Sequence, residues 1–154
     1  MANSSISLKG SDAALGYLTL RITLGVNMFM HGTARLLSGE DKFVDATVHM
    51  FQAGLLPHPL VLGFATVLPW IEAAIGLLVL IGLRTRAALT AGALLIMVLT
   101  FGVTSLQNWG AAGEQLIYAV AFALLLAFAA VDRYSVDARL RAKTRESKGL
   151  QPVS

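Results

Sequence analysis

Two long apolar runs follow one another in the middle of the chain, residues 61–83 and 87–106, with only Arg84, Thr85 and Arg86 between them. The first holds a single charge, Glu72, and the second holds none. A spanning helix needs about 20 mostly apolar residues at about 1.5 Å rise each, and both runs meet that requirement. Two more segments come near it: residues 13–37, interrupted by Arg21, His31 and Arg35, and residues 114–131. Charged residues make up only 14% of the 154, against about 25% in a typical soluble domain, so the chain lacks the polar surface to coat itself in water. The sequence predicts an all-α membrane protein, a four-transmembrane-helix bundle over residues 13–132. A polar N-terminus, residues 1–12, precedes it and a basic tail, residues 133–154, follows it. A cleaved signal peptide is a poor reading of the first segment, because Arg21 lies inside it and no small-x-small cleavage site follows.

Six of the 12 Lys and Arg residues fall in the tail: Arg133, Arg139, Arg141, Lys143, Arg145 and Lys148. With four spans, Lys9, Arg84 and Arg86 join them on one side, against Lys42, with or without Arg35, on the other. Positive charge gathers on the cytoplasmic side, so both termini are expected there. The surplus is a membrane-flanking feature and points to anionic lipid rather than nucleic acid.

The first outer loop, residues 38–60, is too polar to span. Val44, Val48, Phe51 and Leu55 recur at helical spacing opposite Asp45, His49 and Gln52, which predicts a short amphipathic helix. Gly54 ends it, and Leu56-Pro57-His58-Pro59 turns the chain into the second span. It either lies in the interface or tucks inward as a lid. Packing seams inside the bundle are expected at Ala88 and Gly92 on the third span and at Ala119, Ala123 and Ala127 on the fourth.

The chain has no cysteine, which excludes disulfides, thiolate metal sites and thiol–disulfide exchange. His31, His49 and His58 match no helical ligand spacing, so no metal is expected. Trp70 and Trp109 read as interface anchors.

Ionisable groups at membrane depth are costly unless paired. At about 100° per residue, Arg21, Asn27, His31 and Arg35 fall within roughly 120° of one another on the first span, a face that must look into the bundle. Counting from the cytoplasmic ends, Arg21 lies about 12 Å deep and Glu72 about 16 Å, so a structural ion pair between Arg21 and Glu72 is expected. Asn27 and His31 lie in the outer half, level with Gln115 and Tyr118, and Glu114 stands at the outer mouth. These five are candidate ligands for a carbonyl headgroup such as a quinone ring, which needs an apolar slot, a donor to each carbonyl and a proton route. The other reading is interhelical polar contact with no ligand.

Several short stretches resemble the DoxX family. They are Leu20-Arg21-Ile22-Thr23-Leu24-Gly25 with His31-Gly32 and Arg35, and Gly54-Leu55-Leu56-Pro57-His58-Pro59. Glu72 followed by Gly76 through Arg86, and Asp132-Arg133-Tyr134-Ser135-Val136-Asp137, complete the set. The likeness spans about residues 13–138. It implies a four-helix protein of the bacterial inner membrane. Some members are small subunits of thiosulfate:quinone oxidoreductases, and others are linked to membrane redox complexes and oxidative-stress defence. Arg35 stands where the family usually has lysine, and Asp132 where it usually has glycine.

Residues and resemblance together point to a membrane subunit of a quinone-linked oxidoreductase, with the lipid bilayer and partner subunits or further copies of itself as partners. No side chain here carries electrons, so any redox role rests on quinone or on a partner's cofactor, and none is covalently held. The rival reading is a structural or assembly subunit without a ligand. A small-solute transporter is disfavoured, since no pair of broken helices is evident. The quinone reading calls for an enclosed apolar slot leading from lipid to His31. The structural reading calls for a solid core with small-residue seams facing outward.

Overall fold

A computed structural model describes residues 10–52 and 54–147. The outermost N-terminal residues with Lys9, and the end of the tail with Lys148, lie outside the described residues. Four long helices form the bundle: α1 (Gly10–Leu37), α3 (His58–Ile81), α4 (Thr85–Ser105) and α5 (Trp109–Ala127). Each is long and apolar enough to cross a membrane. A short helix, α2 (Glu40–Phe51), lies between the first two, and a 3-10 turn (Ala129–Val131) leads to a tail helix, α6 (Val136–Ser147). Four antiparallel spans bring the start of α1, the α3–α4 turn and α6 to one end of the bundle, here the terminal end. The other end carries α2 and is the loop end.

Local chemistry explains the boundaries. Pro57 and the proline in the first turn of α3 start that helix three residues earlier than hydropathy implies, since a helix's first N–H groups have no partner to lose. Asn108 starts α5 at Trp109, five residues earlier than expected, because its Oδ1 accepts the Ala111 N–H at 3.2 Å. At the far end of α3, Gly82 adopts φ 71°, and the N–H groups of Gly82 and Leu83 both donate to the Leu78 carbonyl. A side chain at Gly82 would be strained by that φ and would also collide with Ser135 and the Arg21 guanidinium.

Helix α1 packs most extensively on α3. Gly25 faces the Leu80 backbone, Gly76 the backbone of Met28 and Phe29, and Gly32 the backbone of Pro69 and Ala73. A Cβ at Gly32 or Gly76 would collide with main chain on the opposite helix, so these glycines set both the separation and the register. On the other side of the bundle, Gly92 of α4 receives the fully buried ring of Phe122 from α5. The seam expected at Ala88 and Gly92 is therefore internal, and both residues are buried. The alanine ladder on α5 is placed differently. Ala119 is half-buried, but Ala123 and Ala127 are exposed on the outer surface, because α5 is pinned to α4 through Phe122 and Leu125 on its opposite side.

Helix α2 takes the lid arrangement. It lies on α3, with Phe43, Val44, Val48 and Phe51 half-buried and Asp45, His49 and Gln52 outward. The Phe51 ring passes over Gly102 of α4, and a Cβ there would sit 3.3 Å from it. Leu55, read as part of the apolar face, lies beyond the helix and is 87% exposed.

Candidate functional site

The first polar cluster occupies the terminal end. Arg21 is 2% exposed, and its Nη1 donates to the Val79 carbonyl at 2.9 Å and the Leu80 carbonyl at 3.0 Å. Its Nη2 reaches the Tyr134 carbonyl at 3.5 Å. Val79 and Leu80 belong to the last turn of α3, whose carbonyls have no partner within the helix and carry its partial negative charge. Arg21 is thus a cap supplied by a neighbouring helix. The start of α4 is capped in a matching way. Asp137 accepts from the Arg84 N–H at 2.9 Å and, through Oδ2, from the Thr85 N–H at 2.7 Å and the Thr85 hydroxyl at 2.9 Å. The Asp137 N–H in turn donates to the Gly82 carbonyl, and the fully buried Ser135 caps α6 by accepting the Ala138 N–H. Burial raises the Asp137 pKa, but the donors of Thr85 and Arg84, with Arg141 nearby, outweigh it and hold the carboxyl below its ordinary range. One hairpin turn is therefore gripped by α1 and by the first turn of α6 with the segment leading into it.

The expected Arg21–Glu72 ion pair does not form. The glycine contacts place Gly25 against Leu80 and Gly32 against Ala73, so Glu72 stands level with Thr33, about 18 Å along α1 from Arg21. Counting depth from helix ends assumed that α1 and α3 end in one plane, whereas α1 runs about 20 Å past the end of α3 and packs there against the 3-10 turn. Glu72 pairs with Arg35 instead. The carboxylate is buried, the Arg35 side chain is 28% exposed, and the guanidinium lies 4.4 Å from the centre of the Phe43 ring on α2.

The third cluster lies between α1 and α5, which touch less than the other neighbouring pairs of spans. The Tyr118 hydroxyl donates to Asn27 Oδ1 at 2.9 Å, and the His31 ring meets Tyr118 edge-on with centroids 6.5 Å apart. Gln115 lies one turn before Tyr118, and its Oε1 is buried without a hydrogen-bond partner among the described residues. Asn27 and His31 are exposed, so this part of the polar face opens sideways from the bundle instead of into its core. Glu114 is exposed in the second turn of α5, near its loop end. Two clefts elsewhere, ≈ 420 Å³ beside Met50 and Gln107 and ≈ 300 Å³ beside Arg35 and Lys42, are not lined by His31, so neither is the enclosed apolar slot expected to lead to it. Among the described residues no group of three or more His, Asp or Glu side chains gathers.

The DoxX family model matches residues 16–109, more than half of the chain. The protein belongs to the DoxX family. No curated protein and no solved structure matches it. The DoxX match takes in Arg21, Asn27, His31, Arg35, Glu72 and the gripped turn, but ends at the start of α5. Gln115, Tyr118 and the Ser135–Asp137 segment lie beyond it. Sequence reasoning missed Asp137 as a cap, although Ser135 and Asp137 at the head of a helix carry the capping signature that would have drawn attention to them. It also missed Phe43, and it gave Arg35 no partner.

Proposed function

We propose that this DoxX protein is an integral membrane subunit of a quinone-linked oxidoreductase, offering a headgroup site in the gap between α1 and α5. The observation that carries the reading is the exposure of Asn27 and His31 at membrane depth beside Tyr118 and the unpartnered Gln115 oxygen. Polar groups turned toward hydrocarbon are costly, and a bound polar headgroup would relieve that cost. The donor set fits a quinone: the Asn27 amide and the His31 ring can each donate to a carbonyl, and Gln115 Oε1 can accept from a hydroxyl. Bound there, a quinone would supply the two-electron, two-proton carbonyl chemistry that no side chain here possesses. Tyr118 holds Asn27 in place, His31 is the group suited to pass a proton, and exposed Glu114 lies toward the water on the loop side. Electrons would come from a partner subunit's cofactor. The excess of positive charge at the terminal end supports a cytoplasmic position for that end in a bacterial inner membrane.

One observation favours the second reading, a structural or assembly subunit: Ala123 and Ala127 present a small-residue strip on the outside of α5. Mass spectrometry of lipids extracted from protein purified in mild detergent separates the two, with wild type compared to His31→Ala. Stoichiometric quinone in the wild type and its loss in the variant support the headgroup site. Copurifying subunits without quinone in either sample remove it and leave the structural reading.

A further inference from the structure

Helix α6 starts at the membrane boundary. Only Gly82, Leu83 and Arg84 join the α3 and α4 spans, and Arg84 and Arg86 beside that turn are exposed, so the turn marks the edge of the apolar layer at the terminal end. Asp137, in the first turn of α6, accepts from the Arg84 and Thr85 N–H groups of the same turn. From that anchor α6 extends about 18 Å, at about 1.5 Å per residue. It packs on no span as α2 packs on α3, and Arg139 through Arg145 are all exposed.

The residues of α6 are arranged for a particular surface. At about 100° per residue, Val136, Leu140 and Thr144 share one strip of the helix. Arg139 and Lys143 border that strip on one side, and Arg141 and Arg145 on the other. Leu140 is 53% exposed, and Tyr134, just ahead of the helix, is 50% exposed. Beyond its first turn α6 carries these four cations against one acid, Glu146. The other acids of the terminal end among the described residues are Asp12 on α1, the buried Asp132, and Asp137, which is engaged by α4 and lies near Arg141. Exposed Arg84, Arg86 and Arg133 add to the positive side. An acidic protein or a nucleic acid calls for cations gathered on one face. Here an apolar strip divides them, which suits a surface that is anionic above and apolar beneath, since long basic side chains reach up to phosphates while the strip meets the acyl boundary. We propose that α6 binds the anionic lipid headgroups of the leaflet at the terminal end, with Leu140 toward the acyl chains and the flanking arginines and lysine on the phosphates.

The chain has no cysteine, so a single one can be placed at will. Leu140→Cys and Ala142→Cys, on opposite sides of α6, are labelled with the same polarity-sensitive fluorophore in the full chain. Each is reconstituted in vesicles of phosphatidylcholine alone, or with phosphatidylglycerol as about a third of the lipid. The label at position 140 is expected to shift to the blue and to be shielded from an aqueous quencher in the anionic vesicles, and the label at 142 to stay accessible. About 1 M salt, which shortens the screening length to about 3 Å, is expected to reverse the shift. Adding Arg139→Gln and Lys143→Gln to the Leu140→Cys chain is expected to weaken the shielded state by about 25-fold, about fivefold for each cation lost at the surface. Asp137 is intact in every variant, so the anchor of α6 is preserved. Equal quenching at 140 in neutral and anionic vesicles overturns the proposal and leaves the cations to an acidic partner. Shielding that is the same at 140 and 142, or that ignores salt, overturns it as well.

Discussion

Arg21 and Arg35 lie fourteen residues apart on one helix, and the two ends of the bundle use them differently. At the terminal end Arg21 is enclosed and bound to main-chain carbonyls of α3 and of the tail segment. At the loop end Arg35 is partly exposed, bound to one carboxylate and covered by one aromatic ring. A cation engaged by carbonyls that have no other partner cannot leave without exposing several buried acceptors. A cation engaged by one carboxylate beside an open cleft keeps donors to spare. The comparison teaches that a charge at membrane depth signals chemistry only when its partners leave it some capacity. By that measure Arg21 is architecture, and Arg35 is the arginine that keeps capacity for a further contact.

The strongest attempt to break this contrast is Arg21→Leu. It deprives the α3 terminus of at least two charge-assisted bonds and is expected to destabilise the protein by about 3–5 kcal/mol, measured by unfolding in detergent. A loss below about 1 kcal/mol would mean that the carbonyls find other partners and that the cap is dispensable. Next comes Arg35→Gln, expected to cost about 2 kcal/mol because a buried carboxylate loses its partner, with much of the loss recovered in the double variant Arg35→Gln/Glu72→Gln. Equal losses in the single and double variants would show that Arg35 acts through packing on Phe43 rather than through Glu72.

Smaller effects sharpen the comparison. The folded Asp137 carboxyl has a lowered pKa, so its contribution is complete above the ordinary carboxylate range and disappears as the pH falls through the depressed value. Hydrogen exchange at the Arg84 and Thr85 amides, taken relative to the intrinsic rate at each pH, should become faster under acid in the wild type. In Asp137→Asn it should already be faster at neutral pH, with about 1 kcal/mol of stability lost, the usual size for a helix cap. Exchange that ignores both acid and substitution would remove Asp137 from the clamp. The smallest change in stability is expected from Tyr118→Phe, about 0.5 kcal/mol, since its bond to Asn27 is exposed. If the same substitution also lowers quinone retention, the gap is a site; a large loss of stability would make it ordinary interhelical contact.

The four spans were readable because run length and charge scarcity are local quantities, and the bilayer converts them directly into helices. The polar face of α1 was readable for the same reason, from spacing alone. Partner choice was not. Which carboxylate meets which arginine depends on the slip between α1 and α3, and that slip is decided by the close approach at Gly25, Gly32 and Gly76. Depth counted from hydropathy boundaries cannot resolve a displacement of this kind. Likewise, the ladder at Ala119, Ala123 and Ala127 was recognisable as a strip of small residues, but its direction is determined by where Phe122 inserts. The cap from Asp137 to Thr85 joins residues 52 positions apart, beyond any periodicity.

That last contact bears on how the protein is made. The α3–α4 hairpin enters the membrane well before Asp137 leaves the ribosome, so for an interval all four spans exist while the first amides of α4 lack their acceptor. Only arrival of the segment from Tyr134 to Asp137 closes the turn against α1. A chain ending between Ala127 and Asp137 would carry all four membrane helices with an unlocked hairpin, the first amides of α4 left without their acceptor.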